Sequence, residues 1–179
     1  MELQKAIEER KSIRKFKTDD ISDDVVYDLI DAARLAPSAK NRQPWKFYIA
    51  KNAIKKQIVE LMQKWNNDNS DIKTSVLPTS KAIDQAPVLI LVFKDSVSDA
   101  VRSDTLSIGA AIEHILLKAT EYNLGSLWIA DTYYVKDEIS KLINTELELY
   151  SAIALGYKDE NPNSRPRKKL EDIIINWEE

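Results

Sequence analysis

Arg10, Lys11, Arg14, Lys15 and Lys17 fall within eight positions and surround the hydroxyl of Ser12. An arginine fork matches two phosphate oxygens at once, and a serine hydroxyl adds a further donor, so this stretch has the composition of an anion site. The same cations at a helix end would meet the helix dipole and need no ligand. A second basic run, Arg165-Pro166-Arg167-Lys168-Lys169, lies near the other end of the chain. Two such clusters in a chain of net charge −3 favour a convergent anion site.

The second stretch with chemical potential runs from Ala36 to Phe47. Pro37 and Pro44 bound it, and Ser38, Asn41 and Gln43 supply a hydroxyl and two amides. An ordinary polar turn with Trp45 in the core would account for it. So would hydrogen bonding to the edge of a flat heterocycle.

Composition removes several alternatives. The chain has 179 residues, enough for one domain, residues 1–179, with a real core. It has no cysteine, which excludes disulfides, thiolate catalysis and thiolate-held metals. Its single histidine, His114, leaves only carboxylate-rich metal sites, and no ligand motif is present, so no metal is expected. There is no Gly-x-Ser-x-Gly to support a hydrolase triad. The three glycines, Gly109, Gly125 and Gly156, are too scattered for a dinucleotide fingerprint or a Walker loop, so side chains must hold any phosphate. The charge balance gives no general attraction to nucleic acid or acidic membrane. No apolar run reaches membrane-spanning length, and Met1-Glu2-Leu3-Gln4-Lys5 does not read as a signal peptide; a cytoplasmic protein is the expectation.

Helical periodicity predicts helices over residues 2–11, 23–35 with Ser22 as N-cap, 52–65, about 104–122 and 136–143. The long one is apolar on most sides, from Leu106 to Ala119, and is expected to be central. Gly125 reads as a helix-end glycine. Strands are expected at 45–50, 88–93 and 151–155; the second is an unbroken apolar run and reads as buried on both faces. Alternating strands and helices give an α/β or α+β class with a central sheet flanked by helices. The tail carries Ile173, Ile174, Ile175 and Trp177, an apolar group suited to covering a partner subunit.

In order along the chain, Arg-x-Ser-x-Arg-x-Phe at 10–16 and Pro-Ser-x-x-Asn-x-Gln-Pro-Trp-x-Phe at 37–47 resemble the FMN-binding signature of the nitroreductase family. The resemblance continues through Ala86-Pro87-Val88-Leu89-Ile90, Ser107-Ile108-Gly109-Ala110-Ala111-Ile112-Glu113-His114, Leu124-Gly125-Ser126-Leu127-Trp128-Ile129 and Gly156-Tyr157, with Pro162, Arg165 and Arg167 beyond. It implies an α+β sandwich with a mostly antiparallel central sheet flanked by helices, in an intertwined homodimer with FMN at the subunit interface.

Carried over by position, the resemblance gives Arg10, Ser12 and Arg14 to the FMN phosphate and ribityl chain. Lys11 contributes through its backbone, and Arg167 with Arg165 closes on the phosphate. Pro37, Ser38, Ala39, Asn41 and Gln43 contact the flavin from the other subunit. Ile129, Ala130 and Asp131 lie beside the ring, and Lys81 reaches its pyrimidine edge. Arg14 or Lys81 then stabilises the reduced ring near N1 and O2. The implied activity is ping-pong transfer of reducing equivalents from NADH or NADPH to a nitroaromatic, quinone or similar flat acceptor. The flavin carries the chemistry, and no side chain is assigned as catalytic.

Three features depart from the family pattern. His114 stands where asparagine is common. Ala130-Asp131-Thr132 replaces a smaller, glycine-containing stretch and puts an acid beside the expected ring position. The connection from Lys94 to Asp104 leaves little room for a covering helix, so an open, permissive pocket is expected. The alternatives are a flavin carrier or sensor without turnover, reductive dehalogenation or flavin breakdown within the same superfamily, and a helical interaction protein that would be colourless.

Overall fold

A computed structural model describes residues 1–95 and 100–175. Four strands form one antiparallel sheet: β1 (Trp45–Ala50), β2 (Val88–Lys94), β3 (Leu124–Ile129) and β4 (Glu148–Tyr157), in the order β1-β2-β4-β3. The fold is the expected α+β sandwich with helices on both faces.

The period-two pattern of a strand explains the two cores. In β2, Leu89, Leu91 and Phe93 face one side, while Val88, Ile90 and Val92 face the other; all are buried. On β4, Ala152 and Ala154 join the first side, and Ile153 and Leu155 the second. The first face is covered by α3 (Asn52–Asp68), α4 (Val76–Gln85) and α6 (Lys136–Leu142). The second is covered by α2 (Asp23–Arg34) and α5 (Val101–Glu121), which pack on each other. A fully buried leucine or isoleucine contributes about 1.5–3 kcal/mol, so a strand buried on both faces anchors the fold.

Several local expectations are corrected. The first helix, α1, spans only Leu3–Glu9, and Leu3 and Ile7 are exposed. Helix continuation loses to tertiary pairing. Ile13 N–H donates to Ser126 O at 2.9 Å, and Lys17 N–H donates to Tyr157 O at 2.9 Å. The basic stretch is therefore an extended segment laid against β3 and the end of β4, with a bridge from Ser12 to Ser126 and another from Phe16 to Lys158.

Gly125 is not a helix end. It lies inside β3, and the left-handed residue after α5 is Asn123, at φ 62°. Helix α5 begins three residues before the expected start, and Leu106 on it is exposed. The α4 helix was not expected at all. The tail leaves Leu170, Ile173, Ile174 and Ile175 exposed, and Trp177 lies outside the described residues. Part of the 94–104 connection lies outside them too. Among the described residues no helix is long and apolar enough to cross a membrane.

Candidate functional site

Ile13 and Phe16 anchor the basic segment. Both side chains are buried in the sheet's first core, while Ser12, Arg14 and Lys15 are exposed. The segment is stapled to the chain after β4: Asp159 N–H donates to Lys15 O at 3.0 Å, Lys15 N–H donates to Glu160 at 3.2 Å, and Arg14 N–H donates to the same carboxylate. That staple carries the 161–167 stretch back over the N-terminal cations.

The result is a cavity of about 610 Å³ lined by Arg10, Lys11, Ser12, Arg14, Arg165 and Arg167, together with Ile7, Glu8 and residues 162–164. Both sequence-predicted basic clusters thus meet in one place. Arg10 Nε lies 3.7 Å from Glu113 of α5. Among the described residues the side chains of Lys11, Arg14, Arg165 and Arg167 make no ion pair. Like charges held together without carboxylate partners repel unless an anion joins them. A phosphate suits that donor set.

The 37–43 loop stands apart from this cavity. Its backbone is unusual: Lys40, Asn41 and Gln43 all have φ of 50–54°. Asparagine tolerates that region, but lysine and glutamine adopt it at a cost of about 1 kcal/mol or more each. The loop is held from within by Gln43 N–H donating to Ser38 Oγ at 3.0 Å and Gln43 Nε2 donating to Asn41 Oδ1 at 3.3 Å. It is held from outside by Ala39 N–H donating to Ser107 Oγ at 3.2 Å, and by Arg42, whose guanidinium reaches Asp104 and Ser103. Pro37 is exposed, and Ser38 and Ala39 are half-buried.

Ile129 is buried at the end of β3, and Ala130 next to it is exposed. The Asp131 carboxylate accepts from Ser75 Oγ at 2.7 Å and Thr79 Oγ1 at 2.6 Å, which ties it to the start of α4. Lys81, on the same helix, is exposed and makes no ion pair among the described residues. His114 Nδ1 lies 3.0 Å from Ala32 O, so the imidazole joins α5 to α2.

Sequence reasoning missed Glu160, Ser75, Thr79, Arg42, Ser103 and Asp104. None of them has a local signal, because each acts through a partner dozens of residues away. The arrangement offers a cationic pocket at one place and the amide and hydroxyl groups of the 38–43 loop at another.

The nitroreductase family model matches residues 7–157, and the chain belongs to that family. A relative from Methanothermobacter thermautotrophicus, provisionally named NADH dehydrogenase/NAD(P)H nitroreductase, is 29% identical over 171 residues, covering 92% of this chain and 82% of its own. An iodotyrosine deiodinase from Thermotoga neapolitana is 31% identical, covering 90% of this chain and 91% of its own. The crystal structure of a nitroreductase-like protein from Desulfovibrio desulfuricans in complex with FMN superposes with TM-score 0.84 at 24% identity, over 99% of this chain and 98% of that one. The chain is a nitroreductase-like oxidoreductase.

Proposed function

We propose that this chain uses FMN to carry reducing equivalents from NADH or NADPH to a flat small-molecule acceptor, such as a nitroaromatic or a quinone, by ping-pong turnover in a shared pocket. The observation that carries this reading is the cavity of about 610 Å³ in which four cations without ion-pair partners meet the Ser12 hydroxyl. When bound, FMN supplies the redox chemistry, accepting hydride from the nicotinamide in one half-reaction and giving it up in the other.

The protein's part is binding, orientation and electrostatics. Arg10, Ser12, Arg14 and Arg167, with Arg165 and the Lys11 backbone, hold the phosphate and ribityl chain. Ile129, Ala130 and Asp131 border the ring. A cation, Arg14 or Lys81, favours negative charge at its N1 and O2 edge. Pro37, Ser38, Ala39, Asn41 and Gln43 serve the ring of a second copy of the chain.

The geometry of α5 supports that last assignment. Arg10 meets this helix at Glu113, whereas the loop meets it at Ser107 and Asp104. At about 100° per residue, Glu113 lies roughly 120° around the helix from Ser107 and roughly 180° from Asp104. One chain therefore turns its two candidate half-sites in different directions, and a homodimer would bring complementary halves together.

The Thermotoga relative favours a second acceptor class, a halogenated phenol reduced with loss of halide. Halide release from an iodinated phenol under reducing conditions distinguishes it from nitro or quinone reduction.

Fluorescence titration of the purified chain with FMN tests the binding assignment. The Arg10→Ala/Arg14→Ala variant is expected to lose at least about a hundredfold in FMN affinity, since each charge-assisted contact contributes about 1.5–3 kcal/mol. Unchanged FMN affinity in a folded double variant removes the phosphate from this cavity.

A further inference from the structure

Asp104 is the most deeply buried acid in the described structure, with no solvent exposure, and it sits in the first turn of α5. Its Oδ1 accepts from Arg42 Nε at 3.0 Å and from Arg42 Nη2 at 2.7 Å. The same Nη2 donates to Ser103 Oγ at 2.6 Å. Its Oδ2 is buried without a hydrogen-bond partner among the described residues. Desolvating a carboxylate this fully is costly, and an arginine fork spent on one oxygen repays it only in part. Such an arrangement is poor as a stability device. It is effective as a fastener, because Arg42 cannot leave without abandoning a buried charge.

What it fastens is the strained loop. Arg42 sits between Asn41 and Gln43, two of the loop's three residues with positive φ. Four residues before Gln43, Ala39 is gripped by Ser107, one helical turn beyond Ser103. Arg42 and Ala39 are thus both tied to α5, and the positive-φ residues lie between and just after them. The held shape leaves two donors unused. Ser38 Oγ accepts from Gln43, yet its proton goes to no acceptor among the described residues, and the Asn41 amide nitrogen likewise donates to none.

We propose that Arg42, seated on Asp104 and Ser103, is a positioning residue that holds the 38–43 loop in its strained form and aims the Ser38 and Asn41 donors at the flavin ring. This rests on the FMN reading above. The pair acts on the ring, not on the phosphate, so its loss should weaken binding of riboflavin and FMN alike.

The test is a fluorescence titration of the full chain with FMN and with riboflavin. Arg42→Ala alone strands a buried charge and is expected to unfold easily, so the informative variant is Arg42→Leu/Asp104→Leu, which removes both charges together. It is expected to unfold cooperatively and to bind both flavins about tenfold more weakly. The absorption bands of bound flavin should shift toward those of the free molecule. Ser107→Ala, which removes the grip on Ala39 and a hydrogen bond to Ser103 O within α5 but leaves Arg42 on Asp104, is expected to weaken both by about threefold. Arg167→Ala, at the phosphate end of the cavity, should weaken FMN and spare riboflavin. Wild-type affinity for both flavins in folded Arg42→Leu/Asp104→Leu and in Ser107→Ala overturns the positioning role while leaving the FMN reading standing. A wild-type chain that binds neither flavin overturns both.

Discussion

Gly125 and Ile13 touch so closely that a Cβ built on Gly125 would stand 2.8 Å from Cγ2 and 2.9 Å from Cβ of Ile13. Gly156 makes the matching approach to Phe16, at 2.8 Å from Cδ1, with Pro87 Cδ at the same distance. These glycines admit the two hydrophobic anchors of the basic segment, and the anchors fix where Arg10, Ser12 and Arg14 point.

Gly125→Ala and Gly156→Ala should each destabilise the fold by about 1–3 kcal/mol, the usual cost of overpacking. Each should also weaken FMN binding, because the anchor moves and the cations move with it. Urea unfolding and FMN titration on the same samples check this. A variant with full FMN affinity and reduced stability would separate the anchors from the cavity.

Much of the fold was legible in the sequence. Helices α2 and α3 showed the 3.6-residue period, and β2 showed an unbroken apolar run. The β3 strand was missed because Gly125 follows a long helix, where a glycine normally ends it. Its true requirement is the approach of Ile13, more than a hundred residues earlier, which no local pattern reveals. Helix α4 was missed because Pro78 and three hydroxyl residues within 75–80 have low helix propensity and blur its period. Proline is tolerated in a first turn, and Ser75 and Thr79 are occupied by Asp131. Both halves of the candidate site were visible as composition, since charge and amide density are local. The Arg42–Asp104 fastener was not, because its members lie 62 positions apart.

Lys51 joins the start of α3 to the approach of α2 through Asp23 at 2.9 Å and Asp20 at 3.7 Å. The Asp23 hydrogen bond raises its pKa above the ordinary 10.5; burial opposes the rise, and the charges of Asp20 and Asp23 assist it. A raised folded-state pKa contributes stability fully below the unfolded value and loses it as pH climbs through the folded one. Lys51→Met should therefore cost about 0.5 kcal/mol at neutral pH, screened as surface pairs are. The gap to wild type should close at pH values above the ordinary lysine range. Urea unfolding across that range is the check, and a gap that widens with pH would contradict the assignment.

Asp131 carries a negative charge to the edge of the proposed ring site, steadied by Ser75 and Thr79. Removing that charge should stabilise the reduced, more anionic flavin. Asp131→Asn is expected to raise the midpoint potential of bound FMN by about 30 mV, equivalent to about 1.4 kcal/mol for a two-electron couple. Spectroelectrochemistry of both proteins reads it directly, and an unchanged or lowered potential would place Asp131 away from the ring.

The central claim is that bound FMN turns over with a nicotinamide donor. The most direct measurement is the absorption spectrum of the FMN-loaded chain under anaerobic conditions, with NADH and then NADPH added, followed by a quinone or nitroaromatic. The account predicts that one donor bleaches the flavin bands and that the acceptor restores them without donor present. Flavin bands that persist through both donors, on a chain that binds FMN stoichiometrically, would contradict it and mark the protein as a flavin carrier or sensor.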